Sequence, residues 1–304
     1  MASIRRILCP IDFSAASQHA IEHALAMARW YGARVTALHV YDPVFMAVPG
    51  LPAPEQRVPQ AEIHRVSTET AACVVRAGAE GVPVDVVVGV GHPAHEILHR
   101  SVALGADLIV MGTHGTSGFA HLVLGSVTEK VLRKAPCAVL TVPPHAQASS
   151  TLPFKRILCA VDLSEASGPA VERACSLAQE SGAALTVLHV VEWPWPEPPA
   201  PDVHELPPDQ ARALAAFRRG VEKDAVDRLA ALLPEALRNR LAPELRVAHG
   251  KAYVEILRIA AGPHGVDLIV MGVGGRNSAD LALFGSTTSH VVRSATCPVL
   301  TVRH

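Results

Sequence analysis

The chain has 304 residues, of which 49% are hydrophobic and only 4% aromatic, and its formal net charge is −1. This length suits two domains of about 150 residues, and the charge balance argues against nucleic-acid binding. No apolar run reaches the roughly 20 residues that a membrane-spanning helix needs. Residues 1–6 show no signal-peptide pattern, so we expect a cytoplasmic protein.

Apolar runs alternate with helical patterns along the first half of the chain. The predicted strands are 6–10, 33–40, 84–88, 107–111 and 137–142, and the predicted helices are 14–31, 60–79, 93–104 and 126–134. Ser14 is placed to cap the first helix and Gly32 to end it. The strands are continuous apolar runs, which indicates burial on both faces. This alternation predicts an α/β fold with a doubly wound parallel sheet, whose strand order 3-2-1-4-5 brings the loops after strands one and four together.

The second half repeats the first. Asp12 and Asp162 are 150 residues apart, and Gly125 and Gly285 are 160 apart. The predicted strands of the second half are 156–160, 183–190, 244–248, 267–271 and 297–302, and the predicted helices are 164–181, 208–233, 252–262 and 286–294. We place most of the extra residues of this half in the proline-rich stretch Trp193–Pro208. The repeat predicts two five-stranded sheets, in domains 1–144 and 154–304 joined by a linker at 145–153.

One proline-rich stretch follows the second strand in each half, at 41–59 in the first half and at 192–209 in the second. Both stretches are predicted to be flaps over the carboxyl edge of the sheet or disordered loops. The last predicted strands, Cys137–Val142 and Cys297–Val302, would be edge strands, and exposed apolar edges favour pairing. We therefore predict that these two strands pair antiparallel and form an internal pseudo-dimer. Further self-association stays open.

A glycine-rich loop follows the fourth strand of each half. In the first half it holds Gly112 and Gly115, and Gly125-Ser126 then opens a helix whose free amides suit a phosphate. An alternative is purely structural: Ser126 and Glu129 fit a capping box. The second half repeats the glycines and the serine as Gly272, Gly275, Gly285 and Ser286, but it has Ser289 in place of Glu129. Retention of the glycines without the box favours the phosphate interpretation.

The spacing G-x-x-G, nine residues, G-S after a late strand, with an aspartate ending the first strand, resembles that of the ATP-binding universal stress proteins. The resemblance covers nearly the whole chain, twice. It implies a tandem-type member with an adenine nucleotide alpha hydrolase-like fold. It also implies bound ATP, ADP or AMP, with Mg²⁺ accompanying a triphosphate. No protein side chain is assigned to a metal.

The resemblance assigns roles by position. It implies that Asp12 and Asp162 lie beside adenine and ribose, and that the backbone of Val40 and Val190 recognises the adenine edge. The remaining predicted site residues surround ribose and phosphates: Gly112, His114, Gly115, Gly125, Ser126 and Thr128 in the first half, and Gly272, Gly275, Arg276, Gly285, Ser286 and Thr288 in the second. The alternative role for Asp12 is to cap the first helix together with Ser14.

The leading functional hypothesis is a nucleotide-binding stress-response protein that acts as a sensor or regulator. Two alternatives stay open. One is a slow ATPase or nucleotide-transferring enzyme on the same fold, although no nucleophile–base pair stands out and G-x-S-x-G is absent. The other is a structural dimerisation module that binds no nucleotide.

Histidines and cysteines are expected to be structural or superficial. His92, His95 and His99 share one helix face, but the second half has Lys251, Val254 and Arg258 at those positions. We therefore predict surface histidines there. His39 and His189 are predicted to support the pocket edge. The six cysteines form no C-x-x-C pair and are predicted to be small buried residues.

Overall fold

The computed structural model describes residues 4–42, 59–114, 124–144, 146, 154–165, 167–192, 207–263, 265–273 and 285–303. In the first half, the strands are β1 (Arg6–Pro10), β2 (Arg34–Tyr41), β3 (Val84–Val90), β4 (Leu108–Gly112) and β5 (Ala138–Val142), and the helices are α1 (Ala15–Tyr31), α2 (Gln60–Arg76), α3 (Pro93–Ala103) and α4 (Ser126–Lys134). The ends of α1 follow the sequence signals, because Ser14 accepts a hydrogen bond from the Ser17 amide and Gly32 ends the helix at φ 64°.

The second half has the same elements and one more. Its strands are β6 (Arg156–Val161), β7 (Ala184–Val191), β8 (Glu244–His249), β9 (Leu268–Gly272) and β10 (Val299–Val302), and its helices are α5 (Ser167–Ser181), α6 (Pro208–Ala231), α7 (Glu235–Leu241), α8 (Ala252–Ala260) and α9 (Ser286–Ser294). The sequence did not predict α7. This helix is two turns long, and its Leu237 and Leu241 pack against the core.

All ten strands form one continuous sheet, in the order β3-β2-β1-β4-β5-β10-β9-β6-β7-β8. Each half has the predicted internal strand order, and the pairing of the last strands joins the two predicted five-stranded sheets into one ten-stranded sheet. Neighbouring strands are parallel except at the centre, where β5 and β10 pair antiparallel with Leu140 opposite Leu300. Side chains reinforce the junction: Thr141 Oγ1 donates to the Val299 carbonyl and Thr301 Oγ1 to the Val139 carbonyl, both at 3.2 Å. The pairing satisfies two strand edges that would otherwise be open.

Both faces of the sheet are buried, as the continuous apolar strands predicted. Along β1, Ile7 and Cys9 belong to one hydrophobic cluster and Leu8 to the other. Helices α1, α2, α5 and α6 cover the first cluster, and α3, α4, α8 and α9 cover the second. Each cluster spans both halves. The described part of the chain is therefore a doubly wound α/β structure with a shared core.

Helices from the two halves also meet on one face of the sheet. Tyr31, at the end of α1, donates a hydrogen bond to Glu180 Oε2 on α5 at 2.6 Å. Trp30 contacts Phe154 edge to face, with ring centroids 6.2 Å apart. These contacts add to the strand pairing, so the two halves are joined by packing as well as by the sheet.

The extra length of the second half lies in its helices, which corrects the sequence analysis. The loop after the second strand spans 42–59 in the first half and 192–207 in the second, so the proline-rich loop holds no insertion. The segment from the next helix to the third strand spans 60–83 in the first half but 208–243 in the second. A longer α6 and the additional α7 account for the difference, and Leu229 of α6 and Leu233 just after it are buried in the core.

The cysteines are structural, as predicted. All six are free thiols, five of them buried and Cys137 partly so. Burial raises the pKa of Cys297 to about 12 and that of Cys175 to about 11. These thiols therefore stay protonated near neutral pH. Among the helices in the described ranges, none has both the length and the apolar character that crossing a membrane requires.

Candidate functional site

The loop after β1 holds Asp12 at the carboxyl edge of the sheet. Asp12 Oδ1 accepts hydrogen bonds from the Ser14 amide at 3.0 Å and from the Ser14 hydroxyl at 2.6 Å. Ser14 Oγ in turn accepts from the Ser17 amide at 3.1 Å and so caps α1. Asp12 therefore takes part in capping α1 by holding Ser14, the N-cap residue, in place. Both of these bonds end on Oδ1, which leaves Oδ2 as the oxygen with which Asp12 can meet a ligand.

The second half builds the same loop with one additional bond. Asp162 Oδ1 accepts from the Ser164 amide at 3.0 Å, from Ser164 Oγ at 2.5 Å and from Ser167 Oγ at 2.8 Å. In the first half, the corresponding hydroxyl of Ser17 donates to the Ser14 carbonyl at 2.9 Å instead. The sequence analysis missed Ser17 and Ser167, although their 150-residue offset was a signal that could have found them.

The backbone at the end of β2 faces the space beyond β1. The Leu38 carbonyl accepts from the Ile11 amide at 2.8 Å, so Leu38 directs its peptide groups toward β1. Peptide groups two residues apart on a strand face the same side, so those of Val40 also face that way. Because β1 ends at Pro10, Val40 presents its backbone beside the Asp12 loop. Val190 has the same position relative to the pair of Ala160 and Leu188.

The end of β4 packs between the first turns of α1 and α4. A Cβ at Gly112 would lie 2.8 Å from Ala16 Cβ and 2.9 Å from the Ala16 carbonyl carbon, in the first turn of α1. On the other side, Thr128 Oγ1 donates to the Gly112 carbonyl at 2.9 Å. Gly112 therefore has a packing reason that the sequence analysis did not consider. It also brings the first turn of α4 next to the first turn of α1, which follows Asp12.

The loop that follows β4 is also held by the last strand of its half. The Thr113 amide donates to the Val142 carbonyl at 3.2 Å, and the Gly125 amide donates to the Thr113 carbonyl at 3.0 Å. Thr113 Oγ1 is 2.9 Å from His114 Nδ1, so His114 lies at the start of this loop. In the second half, the Val273 amide makes the matching bond to the Val302 carbonyl at 2.8 Å.

Helices α4 and α9 begin without a side-chain cap. The N-cap residue of α4 is Gly125 and that of α9 is Gly285, and neither helix has a side-chain capping bond. The capping box, which was the structural alternative, is therefore not formed: Ser126 is the first helical residue, and Glu129 pairs with Arg133 at 2.7 Å. A glycine N-cap leaves the first amides of each helix without a side-chain acceptor, at the positive end of the helix dipole.

The serine and threonine of each helix start differ in exposure. Ser126 and Ser286 are exposed, whereas Thr128 and Thr288 are each 4% exposed. Thr288 repeats the Thr128 bond by donating to the Gly272 carbonyl at 3.4 Å. The threonines therefore connect the helix to the strand before it, while the serine hydroxyls face outward.

The structure brings most of the predicted residues to one edge in each half. In the first half these are Asp12, Val40, Gly112, His114, Gly125, Ser126 and Thr128, and in the second half they are Asp162, Val190, Gly272, Gly285, Ser286 and Thr288. The predictions for Gly115, Gly275 and Arg276 lie outside the described residues, as do most of the two proline-rich stretches.

The histidines considered as metal ligands lie on the surface of α3. His92 is the N-cap residue of this helix, and the rings of His95 and His99 are parallel with centroids 6.5 Å apart. Glu96 pairs with Arg100 at 2.7 Å. Within the described ranges, no three or more His, Cys, Asp or Glu side chains are grouped as a metal site would need.

This fold and edge geometry define a class: a duplicated, doubly wound α/β protein with polar groups at the carboxyl ends of its strands in each half. The model of the universal stress protein family matches residues 3–143 and again 153–303. The chain therefore belongs to the universal stress protein family and contains two repeats of its domain.

Known proteins support this assignment along the full chain. A universal stress protein of Mycolicibacterium smegmatis is 29% identical over 303 residues, which cover 98% of this chain and 96% of that protein. One from Methanocaldococcus jannaschii is 36% identical over 140 residues, or 45% of this chain and 81% of that protein. The crystal structure of a universal stress protein from Archaeoglobus fulgidus has a TM-score of 0.67 at 22% identity, covering 100% of this chain and 99% of that one. At this identity, the structural likeness establishes the fold.

Proposed function

We propose that each half binds one adenine nucleotide at the carboxyl edge of the sheet, and that the protein acts as a nucleotide sensor or regulator. The proposal rests on how α4 and α9 begin. Each helix begins at a glycine N-cap without a side-chain acceptor for its first amides. Unpaired amides and the helix dipole together favour a phosphate group at that position.

The neighbouring groups fit the rest of a nucleotide. Oδ2 of Asp12 is available to accept a hydrogen bond from a ribose hydroxyl, and the backbone of Val40 is available to pair with the adenine edge. Ser126 supplies a hydroxyl at the phosphate end. We assign Thr128 a positioning role, because its proton goes to the Gly112 carbonyl. Mg²⁺ would enter together with a triphosphate and supply positive charge beside it.

The same arrangement favours binding over rapid turnover. Asp12 and Asp162, the carboxylates nearest the proposed ribose position, both accept hydrogen bonds from the serine two residues later. These bonds orient each carboxylate as an acceptor. Catalysis of phosphoryl transfer depends on positioning the attacking group and neutralising charge on the phosphates, and the described residues at this edge are arranged to hold the ligand.

Calorimetry with ATP, ADP and AMP in the presence of Mg²⁺ tests the proposal. Wild type is expected to bind two equivalents, and Gly285→Val one. A side chain fits at Gly285, since the nearest heavy atom to a Cβ there is Thr288 Oγ1 at 3.7 Å. The substitution therefore blocks the ligand's approach without disturbing packing. Gly125→Val is the counterpart in the first half.

Gly220→Val is the matched control, because Gly220 is exposed on α6 with nothing within 4 Å of its Cβ position. It should bind two equivalents. Extraction of the purified protein should release adenine nucleotide, and a phosphate-release assay should show little turnover. Equal heats in wild type and in both glycine variants would refute the two sites. Sustained phosphate release would instead identify a slow ATPase.

A further inference from the structure

The residue that follows each site aspartate has an unfavourable backbone conformation. Phe13 has φ 64° and Leu163 has φ 61°, both in the left-handed region that favours glycine. A bulky residue in this region persists only where the surroundings hold it there. The kink turns the chain from β1 into α1 and so determines where the Asp12 carboxylate points. What holds the kink is therefore important for the proposed nucleotide site.

A histidine on β2 holds the kink in the first half. His39 Nδ1 lies 2.8 Å from the Ile11 carbonyl oxygen. Because a carbonyl can only accept, Nδ1 carries the proton and donates it. The His39 ring also stacks on Phe13, with centroids 4.5 Å apart and an interplanar angle of 21°. One side chain therefore contacts the residues on both sides of Asp12.

His39 is held mainly in its neutral form. Burial lowers its pKa, and this effect outweighs the hydrogen bond to Ile11 and the charges of Asp12 and Glu69, which act in the opposite direction. Arg65 on α2 lowers the pKa further. A neutral ring with its proton on Nδ1 is the form that donates to Ile11 while it packs against Phe13.

The second half keeps the hydrogen bond but has a leucine at the position of Phe13. His189 Nδ1 lies 2.9 Å from the Val161 carbonyl oxygen, and His189 is buried. Leu163 occupies the position of Phe13 and has no ring to stack. Asp162 instead receives the additional bond from Ser167 Oγ. The two halves therefore fix the same kink by different combinations of contacts.

We propose that His39 and His189 are positioning residues of the nucleotide sites, and that the stacking of Phe13 on His39 makes the first site depend on the aromatic residue at position 13, where the second half has Leu163. The histidine holds the carbonyl before the aspartate, and the carboxylate is thereby fixed before the ligand arrives. Groups fixed in advance lose less freedom on binding, which raises affinity. This inference rests on the proposed function, which supplies the ligand.

The binding test uses the Gly285→Val background, in which the first site is measured alone by calorimetry with ATP. His39→Leu should weaken binding about tenfold, the upper size of one net hydrogen bond. His39→Asn should recover most of this loss, because its amide nitrogen can replace Nδ1. Phe13→Leu, which introduces the residue of the second half, should weaken binding roughly threefold through the lost ring contact. Gly220→Val in the same background is the control and should leave the affinity of the first site unchanged, because Gly220 is exposed on α6 with nothing within 4 Å of its Cβ position.

A second measurement needs no ligand. The Ser14 amide donates to Asp12 Oδ1, so its hydrogen exchange should accelerate in His39→Leu and return toward the wild-type rate in His39→Asn. Wild-type affinity in both His39→Leu and Phe13→Leu would overturn the proposal, as would unchanged Ser14 exchange in His39→Leu. If wild type binds no nucleotide, the proposed function fails, and Ser14 exchange still decides whether His39 fixes the loop.

Discussion

Gly112→Ala tests whether the glycine after β4 is required by packing. The new methyl group would lie 2.8 Å from Ala16 Cβ and 2.9 Å from the Ala16 carbonyl carbon. Because part of this contact is with backbone, α1 would have to shift against the sheet. Overpacking of this kind typically costs about 1–3 kcal/mol, so we expect the free energy of unfolding to fall by about 2 kcal/mol. At about 2.1 cal/mol/K per residue, the unfolding entropy of 304 residues is about 0.6 kcal/mol/K, so Tm should fall by about 3 °C.

The assay is thermal and urea unfolding of the protein without nucleotide, so that binding does not contribute. Gly285→Ala is the matched control: its nearest neighbour is 3.7 Å away, and its stability should stay within about 0.5 kcal/mol of wild type. Gly112 and Gly285 would then differ in role, the first shaping the edge and the second admitting the ligand. Wild-type stability of Gly112→Ala would show that α1 does not depend on this contact and would refute the packing argument.

Two further predictions concern stability alone. Arg303, directly after β10, donates to the Arg133 carbonyl in the last turn of α4, where a cation also interacts favourably with the negative end of the helix dipole. Arg303→Ala should therefore lower the urea-derived free energy of unfolding by about 1 kcal/mol, with Arg303→Lys in between; no change in either would contradict this link between the halves. His23 is buried on α1, and burial lowers its pKa against the opposing hydrogen bond to the His19 carbonyl. The unfolded state binds this proton more readily, so stability should decrease as pH falls below about 6.5. His23→Gln should flatten the urea-derived stability curve between about pH 5 and 6.5, and an unchanged slope would show that His23 is not responsible.

The sequence predicted the elements and their order because two copies of one pattern reinforce each other. Continuous apolar runs such as 107–111 and 267–271 can be buried only between two layers of helices. The antiparallel pairing of the last strands followed from their apolar edges. The same pairing of β5 and β10 makes one ten-stranded sheet of the two predicted five-stranded ones.

The errors have physical reasons of a different kind. Prolines at 194–208 suggested an insertion in that stretch, but the additional residues lengthen α6 and form α7, and Leu229 of α6 and Leu233 just after it are buried. Spacing alone suggested Ser126 as the N-cap residue, whereas Gly125 is the N-cap residue and Ser126 is the first helical one. The packing of Gly112 on Ala16 joins two elements about a hundred residues apart, and neither propensity nor periodicity contains such a contact.

The two halves provide an internal comparison of what the edge requires. Both keep the serine that holds the aspartate, the histidine that holds the carbonyl before it, and the threonine that holds the carbonyl after β4 or β9. Elsewhere the copies differ: Glu129 pairs with Arg133 in α4, whereas α9 has Ser289 at the matching position. The shared bonds all fix backbone or carboxylate groups around one space in each half. A structural module would need the turns, but it would have no need to orient a carboxylate at the same sheet edge as a helix start without a side-chain cap, and this combination supports the proposal of a ligand in both halves.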